Sequence, residues 1–273
     1  MAKRLRLDAE LVRRSLARSR QHASELIAAG RVSVDGARAA KPATQVLTSQ
    51  AVTVAEDVDD PEYASRGGFK LAGALAALGD AVPTLTGRRV LDAGASTGGF
   101  TDVLLRSGVA QVYAVDVGYG QLLWRLQNDP RVTVMDRTNA RYLTPDDFPW
   151  PPDLVVSDLS FISLTLVLPA LARVATPGAD YLLMVKPQFE VGKERLRSGG
   201  VVRDPSLHAE AITGVLECAA SVGLGTHAVV ASPLPGPAGN VEYFVHLSAA
   251  GSLDDVADLI AAAIATGPAG KDS

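Results

Sequence analysis

Cysteine is nearly absent. Cys218 stands alone in 273 residues, so no intrachain disulfide can form, and a reducing, cytoplasmic setting is expected. Histidine is almost as scarce: His22, His208, His227 and His246 lie far apart without partner cysteines, so no metal site is expected. No apolar run approaches the length that spans a bilayer. The opening Met1-Ala2-Lys3-Arg4-Leu5-Arg6 has no apolar stretch behind it and is not expected to be a signal peptide. What the chain does have is material for a core, with 47% hydrophobic against 21% charged residues. That excludes wholesale disorder and suits one large domain or two smaller ones. Net charge is −4 but uneven: residues 1–45 hold ten Lys/Arg and four Asp/Glu, and the remainder 16 and 26. A basic front end on an acidic body assigns any polyanion contact to the front end.

The stretch that organises the rest is Val90-Leu91-Asp92-Ala93-Gly94-Ala95-Ser96-Thr97-Gly98-Gly99-Phe100. It reads as a short apolar strand, a glycine turn and the start of a helix over 100–106. Glycine there lets backbone approach a ligand closely. The spacing Gly94-x-x-x-Gly98-Gly99 is not the dinucleotide fingerprint Gly-x-Gly-x-x-Gly, which disfavours a nicotinamide dehydrogenase. Asp92, two residues before the first glycine, suits a cationic or amine-bearing ligand and would repel a pyrophosphate. Asp116, at the end of the apolar run 112–115, can grip a ribose diol. A nucleoside with a positive centre follows, and S-adenosylmethionine fits.

From residue 90 onward apolar strands at 90–91, 112–115, 132–135, 154–156, 181–185, 228–231 and 241–247 alternate with helical stretches, notably 164–175 and 206–222. The pattern predicts an α/β fold with a mostly parallel, doubly wound sheet. Ligands of such sheets bind beyond the carboxyl ends of strands, which selects Asp92, Gly94, Asp116, Asp136, Asp158 and Lys186. Ahead of this domain, residues 7–17 read as a helix with Asp8 as N-cap. Ser19 caps a second helix ending at Gly30, and Asp35-Gly36 forms a tight turn between small strands. The run 55–65, acidic and carrying Pro61, reads as a linker. The expected division is 1–56, linker 57–65 and 66–268.

Two resemblances become specific at these residues. Leu7-Asp8-x-x-Leu11-Val12, Ala17-Arg18-Ser19-Arg20, Gly30-x-Val32-x-Val34-Asp35-Gly36 and Lys41-Pro42 resemble the small RNA-binding module first described in ribosomal small-subunit protein four. Its helix-borne arginines and loop lysine touch structured RNA, which implies RNA contacts at Arg4, Arg6, Arg14, Arg18, Arg20 and Lys41. Ser65-Arg66-Gly67-Gly68-x-Lys70, the glycine turn, Asp116-Val117-Gly118-Tyr119-Gly120, Asp136-Arg137-Thr138-Asn139, Ser157-Asp158-Leu159-Ser160-Phe161, Lys186-Pro187-Gln188-Phe189-Glu190 and Gly239-Asn240-x-Glu242 resemble the FtsJ-like RNA ribose 2′-O-methyltransferases. The match is to their TlyA branch, also called haemolysin A, in which an RNA-binding module precedes a Rossmann-like class I methyltransferase domain.

The resemblance implies a catalytic set of Lys70, Asp158, Lys186 and Glu242. It implies cofactor contacts from Asp92, Gly94-Ala95-Ser96-Thr97-Gly98 and Phe100, from Asp116 and Val117, and from Asp136 and Arg137, which could instead grip RNA. The implied substrate is a cytidine in ribosomal RNA of the small or large subunit, and the implied partner a ribosomal subunit met by a monomer. The chemistry agrees. A ribose 2′-hydroxyl is barely ionised at neutral pH and must shed its proton in line with the sulfonium methyl. Lys186 could take that proton as an amine or stabilise the alkoxide as an ammonium, with Asp158 holding it. Glu242 can orient Lys70 or the ribose, or else simply face water. Positioning alone can supply up to roughly 7–11 kcal/mol. Phe161 suits stacking on a splayed base, and equally a core position. Two other classes compete: a ribosome-binding factor without turnover, and a membrane-active haemolysin.

Overall fold

The computed structural model describes residues 4–14, 16–17, 19–55, 61–196 and 199–267. They form two compact units that part between Glu62 and Tyr63.

In the smaller unit β1 (Arg4–Arg6) runs into α1 (Leu7–Arg13), followed by α2 (Arg20–Ala28), β2 (Val32–Val34), β3 (Ala37–Arg38), β4 (Gln45–Leu47) and β5 (Val52–Val54). β1 pairs antiparallel with β4, and a separate sheet has the order β3-β2-β5. Leu7 and Leu11, one helical turn apart, bury against Leu26, Ile27, Val32 and Val46. Asp35 and Gly36 both take positive φ, +49° and +81°. That makes the mirror-image turn whose twist suits a hairpin. Ser19 caps α2 by accepting from the His22 amide at 3.1 Å.

Two helix expectations are corrected. α1 ends at Arg13 instead of reaching residue 17, because the Leu11 carbonyl accepts from both Leu16 and Ala17 amides and turns the chain. Asp8 is not the N-cap. Arg6 holds that place, and Asp8 lies inside the helix with its carboxylate turned to arginines.

The larger unit holds a seven-stranded sheet. Its strands are β6 (Arg89–Ala93), β7 (Gln111–Val115), β8 (Val132–Met135), β9 (Leu154–Ser157), β10 (Asp180–Val185), β11 (Gly225–Ala231) and β12 (Tyr243–Ser248). They lie in the order β11-β12-β10-β9-β6-β7-β8. β12 runs antiparallel to both its neighbours, and the other ladders are parallel. The mostly parallel, doubly wound sheet expected from the alternation is therefore present. The helices are α3 (Arg66–Leu78), α4 (Gly99–Arg106), α5 (Trp124–Gln127), α6 (Leu168–Val174), α7 (Pro187–Glu190), α8 (Pro205–Ser221) and α9 (Val256–Thr266).

Side-chain alternation sorts the core into two layers. Val90, Val112, Val156, Leu182, Met184 and Phe244 pack toward Leu71 and Ala74 of α3 and Phe100 and Leu104 of α4. Leu91, Tyr113, Val155, Leu183, Tyr243 and Val245 pack toward Leu168 and Leu171 of α6 and Ile212 and Val215 of α8. β6 lies between β7, which follows it in sequence, and β9, which comes later, so the winding reverses there. The crevice at the carboxyl ends of β6 and β9 is where such sheets bind ligands.

Candidate active site

The register gathers the candidate catalytic side chains. Val90, Val156, Met184 and Phe244 all face the α3–α4 layer. A strand returns to the same face every second residue. Two steps on from the first three come Asp92, Asp158 and Lys186, at the carboxyl ends of β6, β9 and β10. β12 is antiparallel and pairs Tyr243 with Val185, so Glu242, two residues before Phe244, emerges at the same end. The reading in which Glu242 faces water is corrected: it is 1% exposed, since β12 lies inside the sheet between β11 and β10.

Four charges are thereby paired. Lys186 Nζ lies 2.6 Å from Asp158 Oδ1 and donates to Ser160 Oγ at 3.0 Å. Lys70 Nζ donates to Glu242 Oε2 at 2.5 Å. Lys70 is no solvated first-turn lysine. α3 begins at Arg66, which puts Lys70 in the second turn, 6% exposed. A cavity of about 280 Å³ joins Lys70, Asp158 and Lys186 to the turn residues Gly94, Ala95, Ser96, Thr97 and Phe100.

The turn is held by backbone that only glycine permits at two points. Gly94 has φ +92°, and a Cβ on it would stand 2.7 Å from the Asp158 carbonyl oxygen. A side chain there would push the loop after β6 off the loop after β9. Gly98, φ +98°, precedes α4, and a Cβ would strike Leu126 at 2.2 Å. Asp116 accepts from the Ser96 amide at 2.8 Å and the Gly118 amide at 2.7 Å. It thus ties the turn to the loop after β7. Asp136 does the same for that loop by accepting from the Gly120 amide at 2.9 Å. Asp92 lies under the turn, fully buried. One carboxylate oxygen accepts from Thr101 Oγ at 2.7 Å and the other has no hydrogen-bond partner among the described residues. Burial pushes its pKa up to about 7.

Asp92, Gly98, Asp116, Asp136 and Glu242 lie behind or beside the cavity lining, and Val117, Arg137 and Phe161 are outside it too. Val117 is 70% exposed. The Arg137 guanidinium stacks 4.3 Å over the Tyr119 ring. Phe161 is no core residue: it is 91% exposed, with φ +64°. In the smaller unit Arg6 and Arg20 both bond Asp8 at 2.9 Å. Arg14 bonds Glu10 at 2.7 Å and the carbonyls of Gln50 and Thr48. Arg4 and Lys41 are exposed and have no carboxylate partner among the described residues. Arg18 lies outside the described residues.

The cavity also draws on residues that sequence reasoning left out of the site: Ser65, Arg66, Gly99, Ser160, Pro235 and Pro237. Their signals were the small-residue run before α3 and the Pro-Leu-Pro-Gly-Pro run ahead of Glu242. Among the described residues no cluster of His, Cys, Asp or Glu suits a metal, and no helix is long and apolar enough to cross a membrane.

Comparison with known proteins bears on this geometry. The family described as FtsJ-like methyltransferase matches residues 63–249, and the S4 domain matches residues 5–52. The chain is 56% identical over 272 residues to the 16S/23S rRNA (cytidine-2'-O)-methyltransferase TlyA of Mycobacterium tuberculosis, covering 98% of this chain and 100% of that one. It is 34% identical to hemolysin A of Brachyspira hyodysenteriae, over 89% of this chain and 99% of the other. A solved structure from Streptococcus thermophilus, which bears a provisional hemolysin name, superposes with a TM-score of 0.74 at 36% identity and covers 96% of each chain.

Proposed function

The chain belongs to the FtsJ-like methyltransferase family, and we propose that it transfers the methyl group of S-adenosylmethionine to the ribose 2′-oxygen of a cytidine in ribosomal RNA. The observation that carries this reading is the convergence of the Lys186–Asp158 and Lys70–Glu242 pairs on the cavity of the glycine turn.

The residues fit the cofactor. The unpartnered oxygen of buried Asp92 under the turn suits the amine end, through backbone or water. Asp116 already orders the loop where a ribose diol would lie, and its carboxylate keeps spare lone pairs. When bound, S-adenosylmethionine supplies an electrophilic methyl on a cationic sulfur. It would supply that methyl to the 2′-oxygen, whose proton would pass to Lys186 as an amine or to water beside Lys186 as an ammonium. Lys186, buried and oriented by Asp158 and Ser160, is the residue to meet that oxygen. Each lysine is paired with a carboxylate, so neither stands as a bare ammonium in the cavity. That avoids the cost of setting two bare ammoniums beside a sulfonium. Lys70, held by Glu242, lines the same cavity and can offer a hydrogen bond to the ribose.

The smaller unit is the RNA grip in this account, with Arg4 and Lys41 free to meet phosphate and Arg6 and Arg20 presenting the outer edges of bound guanidiniums. A ribosomal subunit as substrate places the work in the cytoplasm. The test is incubation with labelled S-adenosylmethionine and separated ribosomal subunits, followed by digestion to nucleosides. Label in 2′-O-methylcytidine is the expected result. Label in a base-methylated nucleoside, or none, sinks the reading.

A further inference from the structure

The segments that follow β9 and β10 touch at three successive levels. Lys186 meets Asp158 and Ser160. Phe189 lies 5.3 Å from Phe161, ring centre to ring centre. Glu190 then closes the row. Its Oε2 accepts from Ser163 Oγ at 2.5 Å and its Oε1 from the Leu164 amide at 2.9 Å. Ser163 Oγ in turn caps the short helical turn Leu164–Leu166 by accepting from the Thr165 amide. The first contact belongs to the proposed chemistry. The last involves no residue of that machinery.

Phe161 stands between the two anchors, Ser160 and Ser163, in a conformation that needs explaining. A bulky residue at φ +64° is strained, and a 91% exposed ring gains nothing from burial to offset that. Such strain persists only where neighbours impose it. Glu190 is shaped for the task. It is half-buried, burial pushes its pKa up, and among the described residues it has no cationic partner. Its two hydrogen bonds both go to the Phe161 loop. A carboxylate kept there with only a hydroxyl and an amide as donors is a poor device for stability alone, since desolvation opposes it.

We propose that Glu190 is a positioning residue that clamps the loop 158–164 onto α7 and thereby presents Phe161 to a base of the RNA beside the methylated ribose. This rests on the RNA-methylation reading above and extends it to the residue that holds the stacking platform in place. Aromatic rings stack on splayed bases without regard to sequence, so the effect falls on RNA engagement and not on the cofactor.

The experiment is a double-mutant cycle on the full-length protein, with KM for ribosomal subunits, kcat and S-adenosylmethionine affinity measured for Glu190→Ala, Phe161→Ala and the pair. Glu190→Ala is expected to raise KM about tenfold, the lower range for a lost base–aromatic stack, with cofactor affinity unchanged. Added to Phe161→Ala it should cost less than about twofold more, because two residues that act as one are not additive. Glu190→Gln should stay near wild type, since its amide can accept from Leu164 and donate to Ser163. Should Glu190→Ala not fold, Ser163→Ala removes the same bond from the other side and takes its place in the cycle.

Independent, multiplying effects of Glu190→Ala and Phe161→Ala would overturn the clamp. So would equal loss of cofactor binding, or a Glu190→Ala protein with wild-type KM. If the wild-type protein itself transfers no methyl group, the methylation reading fails on its own. The clamp is then judged by hydrogen exchange at the Leu164 amide: faster exchange in Glu190→Ala supports it, and unchanged exchange overturns it.

Discussion

Both units set basic side chains against carboxylates, but the smaller unit buries only the carboxylates, whereas around the cavity of the larger unit the cations are buried as well. In the smaller unit Asp8 and Glu10 are buried at 3% and 0% exposure, while the side chains of Arg6, Arg13 and Arg20 remain 45%, 53% and 60% exposed. In the larger unit the cations themselves are sealed, with Lys70 and Lys186 both 6% exposed. The choice of base follows the task. A guanidinium never gives up its proton and has donors to spare, so an arginine can brace a buried carboxylate with one edge and meet phosphate with another. An amine can gain or lose a proton once it is removed from water. In the proposed reaction arginine serves where charge must persist, and lysine where the ribose proton is to be met.

The comparison can be broken at several places, and the largest expected effect is in the larger unit. Asp158→Asn removes the carboxylate that orients Lys186. Methyl transfer should fall about 10²- to 10³-fold, with cofactor affinity within a few-fold, as measured by single-turnover kinetics and calorimetry. Next is Glu10→Ala in the smaller unit. Removing a partner of a buried pair costs about 3–5 kcal/mol when the survivor is trapped, but Arg13 is half-exposed and can be hydrated, so about 2 kcal/mol is expected. Hydrogen exchange across 7–28 in the full chain reads it: exchange there should quicken while the β6–β12 sheet stays protected.

The buried carboxylates Asp8 and Glu10 of the smaller unit and Asp92 of the larger should respond to pH with opposite sign. The Arg6 and Arg13 hydrogen bonds hold Asp8 well below the usual carboxylate range and Glu10 down to about 2. Their contribution is present above the unfolded carboxylate values and is lost as pH falls through those depressed values. Asp92 is raised to about 7. Its contribution is present below the unfolded value near 4 and is lost as pH rises to and through 7. Both tryptophans, Trp124 and Trp150, lie in the larger unit, so their fluorescence follows that unit alone. Between about pH 5 and about pH 8 Asp92 should lower the stability they report in urea by at most roughly 3 kcal/mol, against the opposite contribution of buried His208, whose pKa is lowered, and Asp92→Asn should remove the Asp92 part. The smallest effect belongs to Lys41→Ala. Affinity for ribosomal subunits should fall only a few-fold, with the salt slope reduced by about one and the rate at saturating subunit unchanged.

The strands and the mostly parallel sheet were legible in the sequence because doubly buried strands are short, apolar and bounded by Gly, Pro and Asp. Of the four candidate catalytic residues, Asp158 and Lys186 were legible for the same reason, because they follow such strands, whereas Lys70, in a helix, and Glu242, ahead of an antiparallel strand, came with the resemblance. What escaped was everything decided by partners distant in sequence. Nothing local says that Arg14 spends its donors on the carbonyls of Thr48 and Gln50. Nor does the alternation of residues 241–247 reveal that both faces of β12 are covered, since an inner strand and an edge strand share that pattern until the neighbours are known. Phe161 was undecidable because its exposure goes with a left-handed backbone conformation that no neighbouring residue announces. Helix ends were missed by a few residues where backbone carbonyls found competing donors, as Leu11 did.

Methyl transfer from labelled S-adenosylmethionine to ribosomal subunits by Lys186→Ala, beside wild type, bears most directly on the claim that a buried lysine at the tip of β10 prepares the ribose oxygen. The account predicts cofactor binding within a few-fold of wild type and transfer lowered by about three orders of magnitude. Transfer at the wild-type rate by a variant lacking that amine would contradict it.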